Sequence, residues 1–322
     1  CAPDSSIRRD KNMIMPATSH PLLLTLLLAL LSATASANVV SVTCPSRAIR
    51  AGGEYADVTV NGSCTLTRVT VYGTVMVESG SLSARGSTLT GGLQVASANL
   101  IDIDSSTSIG DVAIENAGRV NIGPTAAFDG VSIADSGPVT VRGKLGALSV
   151  ARTGTLTLRG AAIFPRGLSL EESGLLVACG SNIGIEPVAE DGGGGLSVSD
   201  SREIRLVADS QCAPNRVGGS IYIQGGRGPV RLVGTPDAPV IAGDFSVIGR
   251  PHDVELRHVS LSDVALEGVG RAGGLILFDN VVTDSDTGMS DTVGNITITQ
   301  SAFGSDASIS LNSNGVIRLL RN

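Results

Sequence analysis

Between Thr74 and Gly184 apolar and polar residues alternate in bursts of three to five, each bounded by glycine, as in Gly80-Ser-Leu-Ser-Ala-Arg-Gly86, Gly137-Pro-Val-Thr-Val-Arg-Gly143 and Gly154-Thr-Leu-Thr-Leu-Arg-Gly160. A period of two sends successive side chains to opposite faces of a strand, and the flanking glycines predict sharp turns at both ends. Cutting at the recurring glycine gives six rungs, 74–91, 92–110, 111–130, 131–146, 147–167 and 168–184. Repeats of about twenty residues belong to solenoids, in which each unit buries its apolar face only by stacking on its neighbours.

Aligned, the rungs place Val75/Val77, Val112/Ile114, Val131/Ile133, Leu148/Val150 and Leu168/Leu170 in one inward stack. Leu82/Ala84, Ile101/Ile103, Val120/Ile122, Val139/Val141 and Leu156/Leu158 form a second, with Ser83, Asn121, Thr140 and Thr157 on its outer surface. Five rungs carry three corner glycines, for example Gly118, Gly123 and Gly130, which predicts three sides. The fold class read from this pattern is all-β, a single-stranded parallel β-helix, a three-sided solenoid. It resembles the parallel β-helix of the pectin-lyase-like superfold and of secreted repeat proteins rich in Gly, Val, Ser and Thr; rung architecture carries the resemblance over residues 55–322, without a catalytic motif. The rungs vary from 16 to 21 residues, which points to the right-handed form, because left-handed helices keep a strict hexapeptide phase.

The organisation expected along the chain is a leader and secretory signal at 1–37, an N-terminal cap at 38–57, regular rungs at 58–194, and longer, looser rungs of the same domain at 195–322. The signal rests on the apolar run from Pro21 to Leu31, preceded by Arg8, Arg9 and Lys11 and followed by Ala35-Ser36-Ala37. Eleven apolar residues are too few to span a bilayer, which needs about twenty. The expected location is therefore secreted or cell-surface, without membrane insertion. Cys44, Cys64, Cys179 and Cys212 then read as disulfides. Proximity in sequence favours Cys44 with Cys64 and Cys179 with Cys212, among three possible connectivities. The sequons at Asn61 and Asn295 are candidate glycosylation sites.

Removing the leader leaves 20 basic and 28 acidic residues, a net charge near −8, with Lys144 the only lysine. Such a balance argues against nucleic acid as a partner. The best catalytic candidates lie in Pro251-His-Asp-Val-Glu-Leu-Arg-His258. With Val254 and Leu256 inward, Asp253, Glu255 and Arg257 project from one side and His258 flanks them. Two carboxylates and an arginine on one face suit proton transfer on a uronic acid, and they equally suit a solvated strand face with an internal ion pair. The acidic stretch Asp279, Asp284, Asp286 and Asp291 matches no calcium-loop spacing, and the glycine run 192–195 lacks the context of a phosphate loop. No metal or other cofactor is expected.

The absence of Trp and the scattering of Tyr55, Tyr72 and Tyr222 weigh against a saccharide-cleaving cleft. Thr-x-Thr pairs raise ice or surface binding, but the matched outward positions change identity from rung to rung. Arg85, Arg142 and Arg159 recur before a corner glycine, as an anion stripe or as side chains snorkelling over the corner. The leading expectation is a secreted or cell-surface structural, adhesive or fibre-forming solenoid, self-associating through its ends and meeting extracellular glycans. The alternative is a carbohydrate-active enzyme around Asp253 and Glu255. The strand-like run from Gly315 to Asn322 has no polar cap, so more chain or assembly is expected there.

Overall fold

The structure is a computed structural model that describes residues 40–44, 48–49, 51–160, 163–164, 166–184, 194–208, 212–250, 252–285, 287–304, 311–313 and 315–320. The expected signal at 1–37 lies outside these residues, as do Pro251 and Asp286 and residues 192 and 193 of the glycine run. The described residues contain strands, turns and bends, with no helix, and make a parallel β-solenoid of about 12 turns.

Three ladders run along it. On side one the inward register is Val42, Val58, Val75, Leu93, Val112, Val131, Leu148, Leu168, Leu196, Ile221, Phe245, Val264 and Thr287, each paired in parallel with the next. Side two stacks Ile49, Leu66, Ala84, Ile103, Ile122, Val141, Leu158, Ala178, Leu206, Leu232, Leu256, Phe278, Ile298 and Leu319 in the same way. Side three is made of short strands such as Thr70–Val71, Thr88–Leu89 and Thr107–Ser108. Side chains such as Ile101, Ile103, Val120 and Leu156 are fully buried. At about 1.5–3 kcal/mol for each large aliphatic withdrawn from water, stacking these rows is the main force holding the coil closed.

Of the segment 38–57 expected to cap the first rung, the described part itself forms a rung. Val42–Cys44, Ala48–Ile49 and Glu54–Tyr55 pair in parallel with residues 58–60, 65–66 and 70–71. Rung length also changes along the coil. Successive inward residues Val112, Val131, Leu148 and Leu168 are 17 to 20 apart, whereas Leu168, Leu196, Ile221 and Phe245 are separated by 28, 25 and 24. The sixth rung is therefore longer than its cut at Gly184 implies.

The turns are not all made by glycine. At the corner between sides one and two, Asn116, Asp135, Arg152, Glu172 and Asp200 have φ of 45 to 50°. This left-handed conformation costs an ordinary side chain about 1–2 kcal/mol, which the parallel ladders on both sides offset. The glycines that follow serve another purpose. A Cβ on Gly137 would lie 2.0 Å from the carbonyl oxygen of Gly118, and one on Gly174 would lie 2.1 Å from that of Gly154. Glycine is selected there by backbone stacked on backbone.

Between these two columns the chain turns a short polar residue inward. Ser136 Oγ accepts from Ala117 N at 3.1 Å and donates to Ala134 O at 2.7 Å, and Ser173 and Ser201 repeat the pattern two and three rungs on. Asn215, fully buried, serves the corner between sides two and three, accepting from Ser181 N and donating to the carbonyls of Ala178 and Val207. Each ladder supplies partners for backbone groups that the turn would otherwise leave unpaired.

Both cysteine pairs are bonded as sequence proximity favours, with Cα separations of 5.8 Å for Cys44–Cys64 and 5.3 Å for Cys179–Cys212. The first joins the first two rungs inside the core, where both residues are 2% exposed. The second ties the excursion before Asn215 to the strand Leu175–Cys179.

Candidate functional site

The charged surface of side two grows out of strand alternation. In Glu203–Val207, Val230–Val233 and Val254–Leu261 the inward residues Ile204, Leu206, Val230, Leu232, Val254 and Leu256 are fully buried, which forces Glu203, Arg205, Arg231, Glu255 and Arg257 outward. Parallel register places Arg205, Arg231 and Glu255 in one column. Rungs stack about 4.8 Å apart, so these side chains reach one another.

They form a continuous ion-pair lattice. Glu203 Oε1 receives Arg205 Nε at 2.5 Å and Arg231 Nη1 at 3.2 Å. Glu255 Oε2 meets Arg231 Nε at 3.3 Å, and its Oε1 meets Arg257 Nε at 2.7 Å. The two carboxylates are the more buried members, so the arginines lie over them.

Asp253 belongs to a separate arrangement. Its carboxylate accepts from Leu275 N at 3.0 Å and from Arg271 Nε and Nη2 at 3.4 and 3.3 Å. Asn295 does the same two rungs along the stack, accepting from Val316 N at 3.2 Å. Both residues tie their rung to the next.

The sequence candidates thus separate. Asp253, Glu255 and Arg257 share side two, with Val254 and Leu256 inward beneath them. Both Glu255 oxygens engage arginine, and Asp253 engages backbone and Arg271. His258 occupies the corner at φ 48° and leaves the alternation of the strand. His252 is half-buried, and desolvation together with the Arg271 and Arg250 charges pulls its imidazole below its usual pKa.

Asp279 lies on side two in register with Arg257, whereas Asp291 sits at the next corner between sides one and two, so the acidic stretch is divided between surfaces. Among the described residues no three His, Cys, Asp or Glu side chains gather as a metal site requires. Arg85 approaches Asp102 at 3.9 Å. The outward threonine column reads Thr65, Ser83, Asp102, Asn121, Thr140 and Thr157, with an acid and an amide interrupting it. Asn61 and Asn295 are both exposed.

Sequence reasoning missed Arg202, Arg205, Arg227 and Arg231. The available signal was that Glu203–Val207 and Val230–Val233 carry arginine at the same outward position, two rungs ahead of the cluster it singled out. It also missed two cavities beside them. One of about 490 Å³ is lined by Gly154, Thr155, Gly174, Arg202, Arg227 and Gly228 among others, and one of about 520 Å³ by Asp200, Arg202, Gly225, Gly226, Arg227 and Gly249.

A shallower groove of about 890 Å³ runs along side one. Its floor is the outward column Ala113, Ser132, Ser149, Ser169 and Ser197, which ends at Tyr222. No protein family, curated protein or solved structure matches this chain.

Proposed function

We propose that the protein is an exported β-solenoid acting as a rigid structural and adhesive element, and that copies join end to end through their terminal rungs. One observation carries this reading. Ile317 and Leu319 stand in register with the fully buried Ile296 and Ile298, yet they are 40% and 63% exposed, and Val316 and Leu320 beside them are 54% and 50% exposed. Ile317 and Leu319 have the chemistry of an interior row in the position of a surface, while Val316 and Leu320 alternate with them on the outward face. One further rung, supplied by a second copy, would bury Ile317 and Leu319.

A head-to-tail contact of this type does not close on itself and propagates as a filament. Export is supported by the apolar run before Ala35-Ser36-Ala37 and by the two disulfides, which persist in oxidising compartments. No helix among the described residues is long and apolar enough to cross a membrane.

Sedimentation velocity over a concentration series, with electron microscopy of the same samples, tests the reading. Growth into end-to-end assemblies is expected, and Ile317→Lys with Leu319→Lys should abolish it. A protein that stays monomeric at every concentration removes the proposal.

A further inference from the structure

The arginines of side two outnumber the acids that hold them. Between Asp200 and Asp279 this surface brings together Arg202, Arg205, Arg227, Arg231, Arg257 and Arg271 with Asp200, Glu203, Asp253, Glu255 and Asp279, a local excess of one positive charge on a chain whose net charge is −7. Arg202 and Arg227, both exposed, face the same two cavities and have no ion-pair partner among the described residues. Arg205 and Arg257 meet their glutamates through Nε at 2.5 and 2.7 Å, and their side chains remain 41% and 45% exposed.

From this we infer that side two, from the cavity between Arg202 and Arg227 along the column Arg205 and Arg231 to Arg257 at the next outward position, is a binding surface for an acidic polysaccharide bearing carboxylate or sulfate groups. Guanidinium presents a planar fork to such groups and pairs with them bidentately. Glu203 and Glu255 hold three of the arginines extended before any ligand arrives, which lowers the entropy lost on binding. The surface is a flat strand face, and its cations recur at about the rung spacing of 4.8 Å, a geometry suited to an extended polymer with charges along its length.

Three glycines, Gly154, Gly174 and Gly228, form part of the wall of the smaller cavity beside Thr155, Arg202 and Arg227. Single-stranded nucleic acid is disfavoured because its recognition relies on aromatic stacking, and the one tyrosine nearby in sequence, Tyr222, projects from side one. The inference rests on the adhesive reading above and supplies its ligand.

The test uses the full chain and measures binding to a heparin fragment, a polygalacturonate oligomer, neutral dextran and a single-stranded oligonucleotide of matched charge. Binding to at least one acidic glycan at about 50 mM salt, weakening as salt rises, and none to dextran are expected. Arg202→Gln with Arg227→Gln should weaken it about tenfold or more while thermal unfolding stays unchanged, since neither side chain takes part in the fold's ion pairs. Arg119→Gln with Arg142→Gln, exposed elsewhere on the coil, should leave it intact.

Absence of glycan binding at low salt, equal loss in both double variants, or tighter binding of the oligonucleotide each overturns the inference. A monomeric protein that still binds glycan removes only the assembly proposed above, and filaments that bind none remove only this surface.

Discussion

Arg250 occupies the space that Gly226 leaves empty. A Cβ on Gly226 would lie 2.4 Å from Arg250 Nη1. In that space the fully buried guanidinium donates to the carbonyls of Gly228, Gly225, Ser201 and Arg202 at 2.7 to 3.1 Å. Burial pulls its pKa down to about 10, opposed by the charges of Asp200 and Glu203, so it remains a cation at neutral pH. Ser201 and Ser173 fill the corresponding inward corner one and two rungs before Gly226. Where the chain has glycine, the arginine of the following rung reaches back and supplies the missing donors.

Removing either member of this pair should destabilise the protein. Arg250→Ala leaves four carbonyls short of a donor and should cost about 3 kcal/mol or more. Gly226→Ala is strained by its φ of 86° and collides with the guanidinium. Urea unfolding of the two single variants and the double variant checks the coupling. The double should be less destabilised than the sum, because the collision disappears with Arg250.

The glycine column makes a second test. Gly137→Ala and Gly174→Ala each place a Cβ about 2 Å from a carbonyl of the rung below, in contact with backbone that cannot rotate away. Losses of about 1–3 kcal/mol are expected, as for overpacked cores. Gly130→Ala, where a Cβ would meet nothing within 4 Å, should be near neutral by the same unfolding assay.

The disulfides close spans of 20 and 33 residues. Chain-entropy reasoning assigns each about 3–4 kcal/mol. Thiol titration of the denatured, unreduced mature protein should find no free cysteine, and paired Cys→Ser replacement of either bridge should lower the unfolding midpoint by a comparable amount.

His252 should titrate below the usual histidine range, because desolvation, Arg271 and Arg250 all disfavour its cation. The depressed folded-state value means the unfolded chain takes up the proton first as pH falls. Stability from this group is therefore present above the unfolded pKa of about 6.5 and is lost as pH falls through the folded value. Two-dimensional NMR of the imidazole carbons reads the midpoint directly, and Arg271→Gln should move it upward.

The candidate site was only half legible in the sequence. Asp253, Glu255 and Arg257 are adjacent in one strand, so period two alone places them on one side. Arg231 reaches Glu203 and Glu255 across gaps of 28 and 24 residues, and the irregular rung lengths in that half hide the alignment. The cavities depend on glycines from four different rungs, which no local pattern connects.

What the sequence determined by itself was the coil and its inside. Alternation is a local property of each strand, and a recurring apolar pair has one way to leave water, by stacking on its copies, so the inward rows and three sides followed from spacing. What only the tertiary structure decided were the corners and the role of each polar residue there. A left-handed turn falls on Asn116, Asp135, Arg152, Glu172 or Asp200, while glycine falls where backbone meets backbone. The outcome at each corner depends on contacts with the rungs above and below, about twenty residues away along the chain, where sequence spacing carries no record of distance in space.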